Sequence, residues 1–162
     1  MNEIVLNNDL QIITERRIIR IIIFISLAIW CFGFTFASLL PKSEIIILYP
    51  LVKQFYSSVC HQAAYKSIEI NGMNFLVCAR CAGIYFGGLS SSMILLFFYK
   101  SYSLKVNHLF IAAVPMILDV IFYSSGVYRY SKITALSTGF LFGFVIVSFI
   151  LSSIEDILFK KK

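Results

Sequence analysis

The stretch that organises the chain is Val77-Cys78-Ala79-Arg80-Cys81-Ala82-Gly83-Ile84-Tyr85-Phe86-Gly87-Gly88. Here a polar loop turns into an apolar helix, and two thiols lie three positions apart at the junction. That spacing places both side chains on one face of a helical turn, within reach of one metal ion or of each other. A second motif, Cys60-His61-Gln62, lies upstream in the same loop. The chemistry of the protein is therefore expected at this junction.

The composition places the chain in a lipid bilayer. Of its 162 residues, 59% are hydrophobic and only 14% are charged, and the mean hydropathy is +0.87. This is too apolar for a soluble domain of that size, and the length suits one domain. The net charge of +6 comes from Lys and Arg at the ends of apolar runs. Such a distribution indicates membrane topology and argues against nucleic-acid binding.

Four apolar runs are long enough to cross the hydrocarbon core, which takes about 20 residues. They lie at about 18–40, 76–99, 106–124 and 133–154. The sequence therefore predicts an all-α fold, an integral membrane four-helix bundle in a single domain over 18–154. Flanking it we expect a cytoplasmic N-terminal segment at 1–17 and a basic cytoplasmic tail at 155–162. Arg20, near the start of the first run, is expected to extend its charged end to the membrane surface.

The basic residues at the ends of the runs predict the orientation. With a cytoplasmic N-terminus, the inner ends hold eight of them: Arg16, Arg17, Arg20, Lys100, Lys105, Lys160, Lys161 and Lys162. The outer ends then hold six: Lys42, Lys53, Lys66, Arg80, Arg129 and Lys132. Because basic residues concentrate on the cytoplasmic side, this predicts a multi-pass protein of the cell membrane with both termini inside. The cysteine-containing loop then faces outward.

The long first outer loop, 41–75, contains two structural signals. Apolar residues recur at helical spacing from Ile45 to Tyr56, which predicts a short amphipathic helix lying on the membrane surface. Further on, the sequence from Ser67 to Ile70 favours an extended segment, and Asn71-Gly72 is a turn signal. A reversal there would bring Cys60 and His61 towards the second span.

Small residues predict how two of the helices pack. Gly83 and Gly87 in the second span, and Gly139 and Gly143 in the fourth, each form a small-residue face with a spacing of four. Such faces let helix backbones approach closely in a membrane. We therefore expect the second and fourth spans to pack through these glycines.

Asp119 is the one carboxylate within the third span. An ionised group in the bilayer is costly unless it is paired or faces water, so such residues mark functional sites or structural ion pairs. We expect Asp119 near the outer end of the bundle, within reach of Arg80 or the cysteines.

The motifs resemble those of domain-of-unknown-function family 2085, a group of predicted membrane proteins. The residues that carry the resemblance are Cys60-His61-Gln62, the run from Cys78 to Tyr85 with Gly87, Pro115, Asp119, Thr138-Gly139 and Gly143. It covers about residues 55–143. Ala135 stands where an arginine is expected from the family, which removes a charge pairing between the third and fourth spans. The resemblance implies a compact polytopic membrane protein with a shared cysteine and histidine site, and no established activity.

The first hypothesis for the site is a metal centre. Cys60, Cys78 and Cys81 are expected to bind one metal ion, most simply zinc, because thiolate and imidazole ligands in tetrahedral arrangement suit it. His61 is the first choice for a fourth ligand and Asp119 the second. The neighbouring positions of Cys60 and His61 weigh against His61, because adjacent side chains diverge unless the chain turns sharply. Cys31, in the middle of the first span, is excluded from the site.

Two other hypotheses stay open. In one, Cys78 and Cys81 form a redox pair with Cys60 as the shuttle thiol, a protein thiol as partner and quinone as the electron acceptor. The positive charge of Arg80 and the helix N-terminus would favour a thiolate there. In the other, the cysteines only fasten the loop of a structural or transport protein, and transport would require a homo-oligomer because four helices leave little room for a path.

Overall fold

The computed structural model describes residues 2–39, 48–70, 72–97 and 105–159. Within these ranges the chain forms five helices and a two-stranded sheet. In chain order they are α1 (Asn2–Leu39), α2 (Leu48–Ser57), β1 (Ser67–Ile70), β2 (Met73–Cys78), α3 (Ala79–Phe97), α4 (Val106–Ser124) and α5 (Lys132–Phe159), with a short 3-10 turn at Ala64–Lys66.

Four of these helices contain segments long and apolar enough to cross a membrane. The segments are Ile12–Phe36, Ala79–Phe97, Val106–Ser124 and Lys132–Leu158. Large apolar side chains cover their outer faces, as on Phe110 and Ile111 of α4, which are more than half exposed. Such a surface is stable only in contact with lipid or another apolar partner. The predicted all-α membrane bundle is confirmed.

The first and last helices in chain order, α1 and α5, extend further than the apolar runs alone indicate. α1 begins at Asn2, inside the segment predicted at 1–17, because neither glycine nor proline occurs before Gly33 to interrupt it. At the other end of the chain α5 continues through the predicted tail as far as Phe159. Helical structure therefore continues beyond the predicted bounds at both ends.

The inner packing rests on α3 and α5, whose backbones touch through glycines. A Cβ atom added to Gly83 would collide with the carbonyl oxygen of Leu136, and one added to Gly143 with that of Ile84. A Cβ atom at Gly87 or Gly139 would likewise collide with backbone atoms of the facing helix. The packing expected from the two small-residue faces is present.

The loop between the first two spans contains a short helix where one is predicted, and the predicted reversal. α2 buries Tyr56, whose hydroxyl donates a hydrogen bond to the carbonyl of Trp30 at 3.0 Å, and exposes Leu51 and Phe55 on its other face. After it β1 and β2 pair antiparallel, with Ser67 opposite Cys78 and an irregular register between Ser67 and Glu69. Gly72 adopts φ 73°, a left-handed conformation that suits glycine. The start of the loop, 41–47, and Asn71 lie outside the described residues.

The hairpin changes where the second span begins. The sequence predicts a helix from about residue 76, but β2 continues through Leu76 and Val77 to Cys78, and α3 starts at Ala79. Leu76 and Val77 are fully buried in the aromatic core around Phe34. These residues therefore form a buried strand of the hairpin, although the continuous apolar pattern predicts a helix. As a result, Cys78 belongs to β2 and Cys81 to α3.

A buried ion pair joins α1 to α5, the first and last helices described. The Arg20 Nε donates to Glu155 Oε1 at 2.6 Å and the Arg20 Nη2 donates to Glu155 Oε2 at 2.9 Å. The Arg20 Nη1 also donates to the carbonyl of Leu95 at 2.5 Å. The expectation that Arg20 extends to the membrane surface is therefore wrong: its side chain is 8% exposed, because a carboxylate on α5 reaches it inside the bundle.

Candidate metal centre

Three cysteines meet where the hairpin joins α3. Their Sγ atoms all lie within 4.8 Å of one another, although they come from the loop after α2 (Cys60), the last residue of β2 (Cys78) and the first turn of α3 (Cys81). Cys60 is buried, and the other two are half-buried. No disulfide joins any of the four cysteines, so all four thiols are free. The predicted convergence of these three residues is present, and the group could hold a metal ion.

Local backbone geometry holds Cys60 in place. Its amide donates to the carbonyl of Tyr56 at 3.1 Å, which closes the end of α2. Its Sγ accepts a hydrogen bond at 3.1 Å from the backbone amide of Cys78, on the strand that runs past it. The sulfur is thus fixed against the strand by a main-chain donor, an arrangement that favours a negatively charged sulfur.

Gln62 completes the turn that follows. Its backbone has φ 49°, uncommon for a residue with a side chain, and its side-chain Nε2 donates to the carbonyl of Lys53 at 2.9 Å. The side chain therefore fastens the turn to α2. Sequence reasoning assigned no role to Gln62, since a single sequence carries no signal for a hydrogen bond between a side chain and a distant carbonyl.

His61 does not join the cluster. It is exposed to solvent, and its ring nitrogens are not part of the group formed by the three sulfur atoms. The reason is the one that weighed against it from the sequence: adjacent side chains diverge, and the turn at Gln62 does not bring both inward. Cys31 lies on α1 within the buried aromatic core and is also outside the group.

The thiol of Cys60 is more acidic than that of an ordinary cysteine. The pKa of Cys60 is lowered well below the ordinary range, most by a hydrogen bond from the Cys78 thiol and next by one from the Cys81 thiol. Burial acts in the opposite direction and raises this pKa, but its effect is smaller. A thiolate on Cys60 accepts hydrogen bonds from two neighbouring thiols, which explains the direction of the shift. Cys60 therefore forms a thiolate more readily than an ordinary cysteine does.

Beside the cluster, an ion pair ties α4 to the start of α3. The Arg80 guanidinium pairs with the Asp119 carboxylate, and the side chain of Asp119 is only 4% exposed. The Tyr128 hydroxyl donates to the same carboxylate and lies 3.3 Å from the Asp119 carbonyl. This hydrogen bond raises the pKa of Tyr128, since the phenol must keep its proton to donate it.

The expected neighbourhood of Asp119 and Arg80 is therefore present, but the carboxylate does not join the sulfur atoms. Arg80 and Tyr128 already occupy it, which explains why it does not reach the cysteines. Sequence reasoning missed the role of Tyr128, although the aromatic residues of its loop were a usable signal. Burial raises the pKa of Tyr130 to about 12. The nearby charge of Cys78 also raises this pKa, whereas that of Arg80 lowers it.

Fold and site together define a polytopic membrane protein with a three-cysteine cluster at one end of its bundle. The chain belongs to the family described as predicted membrane protein (DUF2085), whose model matches residues 60–149. The resemblance drawn from the motifs is thereby confirmed, and the match starts at the first cysteine of the cluster. An uncharacterised protein of Methanocaldococcus jannaschii is 36% identical over 109 residues, which cover 65% of this chain and 70% of the relative. No solved structure matches the chain.

Proposed function

We propose that the protein is a zinc-binding membrane protein in which Cys60, Cys78 and Cys81 supply three thiolate ligands. The observation that carries this proposal is the mutual approach of the three sulfur atoms to within 4.8 Å. Around a tetrahedral zinc ion with bonds of about 2.3 Å, sulfur atoms lie about 3.8 Å apart. Small movements of the side chains would therefore be enough to enclose the ion.

Ligand chemistry supports zinc over harder cations. Three thiolates are soft ligands that select zinc or copper(I), whereas magnesium and calcium prefer oxygen. The hydrogen bond from the Cys78 amide to the Cys60 sulfur would act as an outer-shell contact that orients the ligand.

The fourth position then falls to a water molecule or an external ligand. Asp119 is held by Arg80 and Tyr128, and His61 would have to swing inward from solvent. Three protein ligands and one exchangeable position are typical of zinc sites that act on a bound molecule. His61 could still enter as the fourth ligand if the loop moved on metal binding.

The metal content of the purified protein tests the proposal. We expect about one zinc ion per chain, lost on substitution of Cys60, Cys78 or Cys81 by Ser and retained in the matched variant Cys31→Ser. Free thiols counted with and without chelator should show three that become accessible only when the metal is removed. Zinc that persists in all three cluster variants would refute the proposal.

A thiol-disulfide oxidoreductase is the second candidate, favoured by the position of the Cys60 Sγ within 4.8 Å of both other sulfur atoms. Two thiols, Cys78 and Cys81, would give up two electrons and two protons to form their disulfide. A quinone would take up both to become the quinol. The Cys60 thiolate would then attack the Cys78–Cys81 disulfide and release one thiol, and two thiols of a partner protein would take over the new disulfide bond, so that the partner leaves as a disulfide and all three cysteines return to thiols. Metal-free protein with a reducible Cys78–Cys81 bond would favour this candidate.

For both candidates we place the cluster on the outer side of the cell membrane, with the two termini in the cytoplasm. The support is the concentration of basic residues at the opposite end, such as Arg16 and Arg17. Reporter fusions test it: a fusion at Lys162 should be active only inside the cell, and one after Lys66 only outside. An externally active reporter at Lys162 would reverse the assignment.

A further inference from the structure

The short helix α2 presents three different sides. Tyr56 is buried against the rest of the protein. Leu51 and Phe55, one helical turn apart, form an apolar side that is 70% and 59% exposed. Lys53 and Ser57, also one turn apart, form a polar side that is exposed as well. A helix with these three sides fits a place where protein, acyl chains and water meet.

Contacts with α1 indicate the depth at which α2 lies. The Tyr56 hydroxyl donates to the Trp30 carbonyl, and the ring centroids of Phe55 and Trp30 are 5.7 Å apart. Trp30 belongs to the segment Ile12–Phe36, which is long and apolar enough to cross the membrane. At a rise of about 1.5 Å per residue, Trp30 lies about 9 Å along the helix from the end of that segment at Phe36. Interfacial helices bury their apolar side to a similar depth, about 5–10 Å.

The apolar side of α2 continues the lipid-facing surface of α1. Ile29 and Phe32, on either side of Trp30 in the chain, are both more than half exposed and belong to the membrane-crossing segment. Phe55 is also more than half exposed, although its ring packs against Trp30. Exposure of such apolar side chains to water is unfavourable, whereas acyl chains provide apolar surroundings for both helices. Lipid that covers this part of α1 therefore also reaches Phe55 and Leu51.

The cysteine cluster lies close to the same level. The Cys60 amide donates to the Tyr56 carbonyl at 3.1 Å, so Cys60 directly follows the end of α2. On α3, the Tyr85 ring packs against Trp30, with centroids 5.9 Å apart. Cys81 precedes Tyr85 by about one helical turn, which is about 6 Å along α3. The cluster therefore lies near the level at which the apolar segment of α1 ends.

We infer that α2 is immersed in the phospholipid leaflet on the cysteine side of the membrane. Leu51 and Phe55 lie among the first acyl carbons, and Lys53 and Ser57 lie among the headgroups. The cysteine cluster is then at the level of the headgroups, so a molecule that reaches it passes through that layer. This inference goes beyond the proposed metal site and does not depend on it.

Tryptophan quenching in the full-length protein, held in phosphatidylcholine bilayer discs, tests the inference. Because Trp30 is the single tryptophan, Trp30→Phe combined with Leu51→Trp leaves one reporter on the apolar side of α2. Trp30→Phe combined with Lys53→Trp is the matched control on the polar side of the same helix. The quenchers are phosphatidylcholine brominated on the upper acyl carbons, and iodide in the water. We expect Leu51→Trp to lose its fluorescence mainly with the brominated lipid, and Lys53→Trp to lose it mainly with iodide.

A second measurement uses the unaltered chain, so it does not depend on how the variants fold. A phosphatidylcholine with a photoreactive diazirine on its acyl chain is activated in the same discs, and the labelled residues are located by mass spectrometry. We expect adducts on Leu51 and Phe55 as well as on the exposed side chains of α1, such as Ile29 and Phe32.

Three results would overturn the inference. Iodide that quenches Leu51→Trp as strongly as Lys53→Trp would place the apolar side of α2 in water. Protection of Leu51→Trp from both quenchers would mean that protein, such as a second copy of the chain, covers this side. Photolabelling of α1 without any adduct on α2 would place α2 outside the acyl layer. None of these measurements requires a bound metal, so their outcome is separate from that of the metal analysis.

Discussion

The ion pair between Arg20 and Glu155 allows a quantitative test of what holds the first and last helices together. In Glu155→Gln the side chain keeps its shape but loses its charge, so the guanidinium stays buried against a neutral partner. Removal of one member of a buried ion pair typically costs about 3–5 kcal/mol. Arg20 keeps its hydrogen bond to the Leu95 carbonyl and lies near the end of the bundle, which argues for the lower limit. We expect a loss of about 3 kcal/mol, or about 160-fold in the folding equilibrium.

The assay is unfolding in mixed micelles of neutral and denaturing detergent, followed by the fluorescence of Trp30, the single tryptophan. Asp156→Asn is the matched control, because it removes a carboxylate from the next position of the same helix, where the side chain is exposed. Its effect should remain within about 0.5 kcal/mol. In the double variant Arg20→Met with Glu155→Leu, most of the stability should return, since apolar residues of similar size replace a buried pair at little cost. Equal stability of Glu155→Gln and Asp156→Asn would refute the reasoning.

Three further predictions concern the helix contact and the cysteine end. In Gly143→Leu the added side chain meets the Ile84 carbonyl, so helix separation should lower the free energy of unfolding by at least about 2 kcal/mol in the same assay. Asp119→Asn leaves the Arg80 charge without its partner and should cost about 3–5 kcal/mol. Tyr128→Phe should cost less, because a lost hydrogen bond to a charged group is worth about 1.5–3 kcal/mol; the reverse order would contradict the assignment of Asp119 to Arg80. In metal-free protein, the rate of Cys60 alkylation should change little between pH 8 and pH 6, because the folded protein lowers the pKa of Cys60. An ordinary thiol with a pKa of about 8.5 would react roughly 80-fold more slowly at pH 6 than at pH 8. Because the pKa is lower in the folded protein than in the unfolded chain, the Cys60 thiolate stabilises the folded protein fully above the ordinary thiol pKa. This stabilisation is lost as the pH falls through the lowered pKa.

The sequence predicts the membrane architecture well because the signal there is simple. An apolar run of about 20 residues has few alternatives to a membrane helix, and a glycine at every fourth position leaves a groove that only another backbone fills. The same signal fails at Leu76 and Val77, because a buried strand and a buried helix are both continuous apolar runs. Only the pairing with β1, a tertiary contact, separates the two.

The side-chain contacts also fall into two groups, those that the sequence predicts and those that it does not. The three cysteines lie within 21 positions of each other, so a turn signal between them was enough to predict their approach. The pairing of Arg20 with Glu155 spans 135 positions, and each residue by itself is typical of a helix end at the membrane surface. Tyr128 reaches Asp119 from a loop whose course the sequence does not determine. Long-range pairs such as these need the fold before they can be recognised.

The separation of Arg20 from Glu155 also sets an order of events during synthesis. α1 enters the membrane first, and its arginine has to wait for a carboxylate that is made 135 residues later. At about 5–20 residues per second this interval lasts roughly 7–27 s. The cysteine cluster, by contrast, is complete once residue 81 has left the ribosome. The cysteine cluster can therefore form early in synthesis, whereas the opposite end of the bundle closes only after the helix that carries Glu155 has been made.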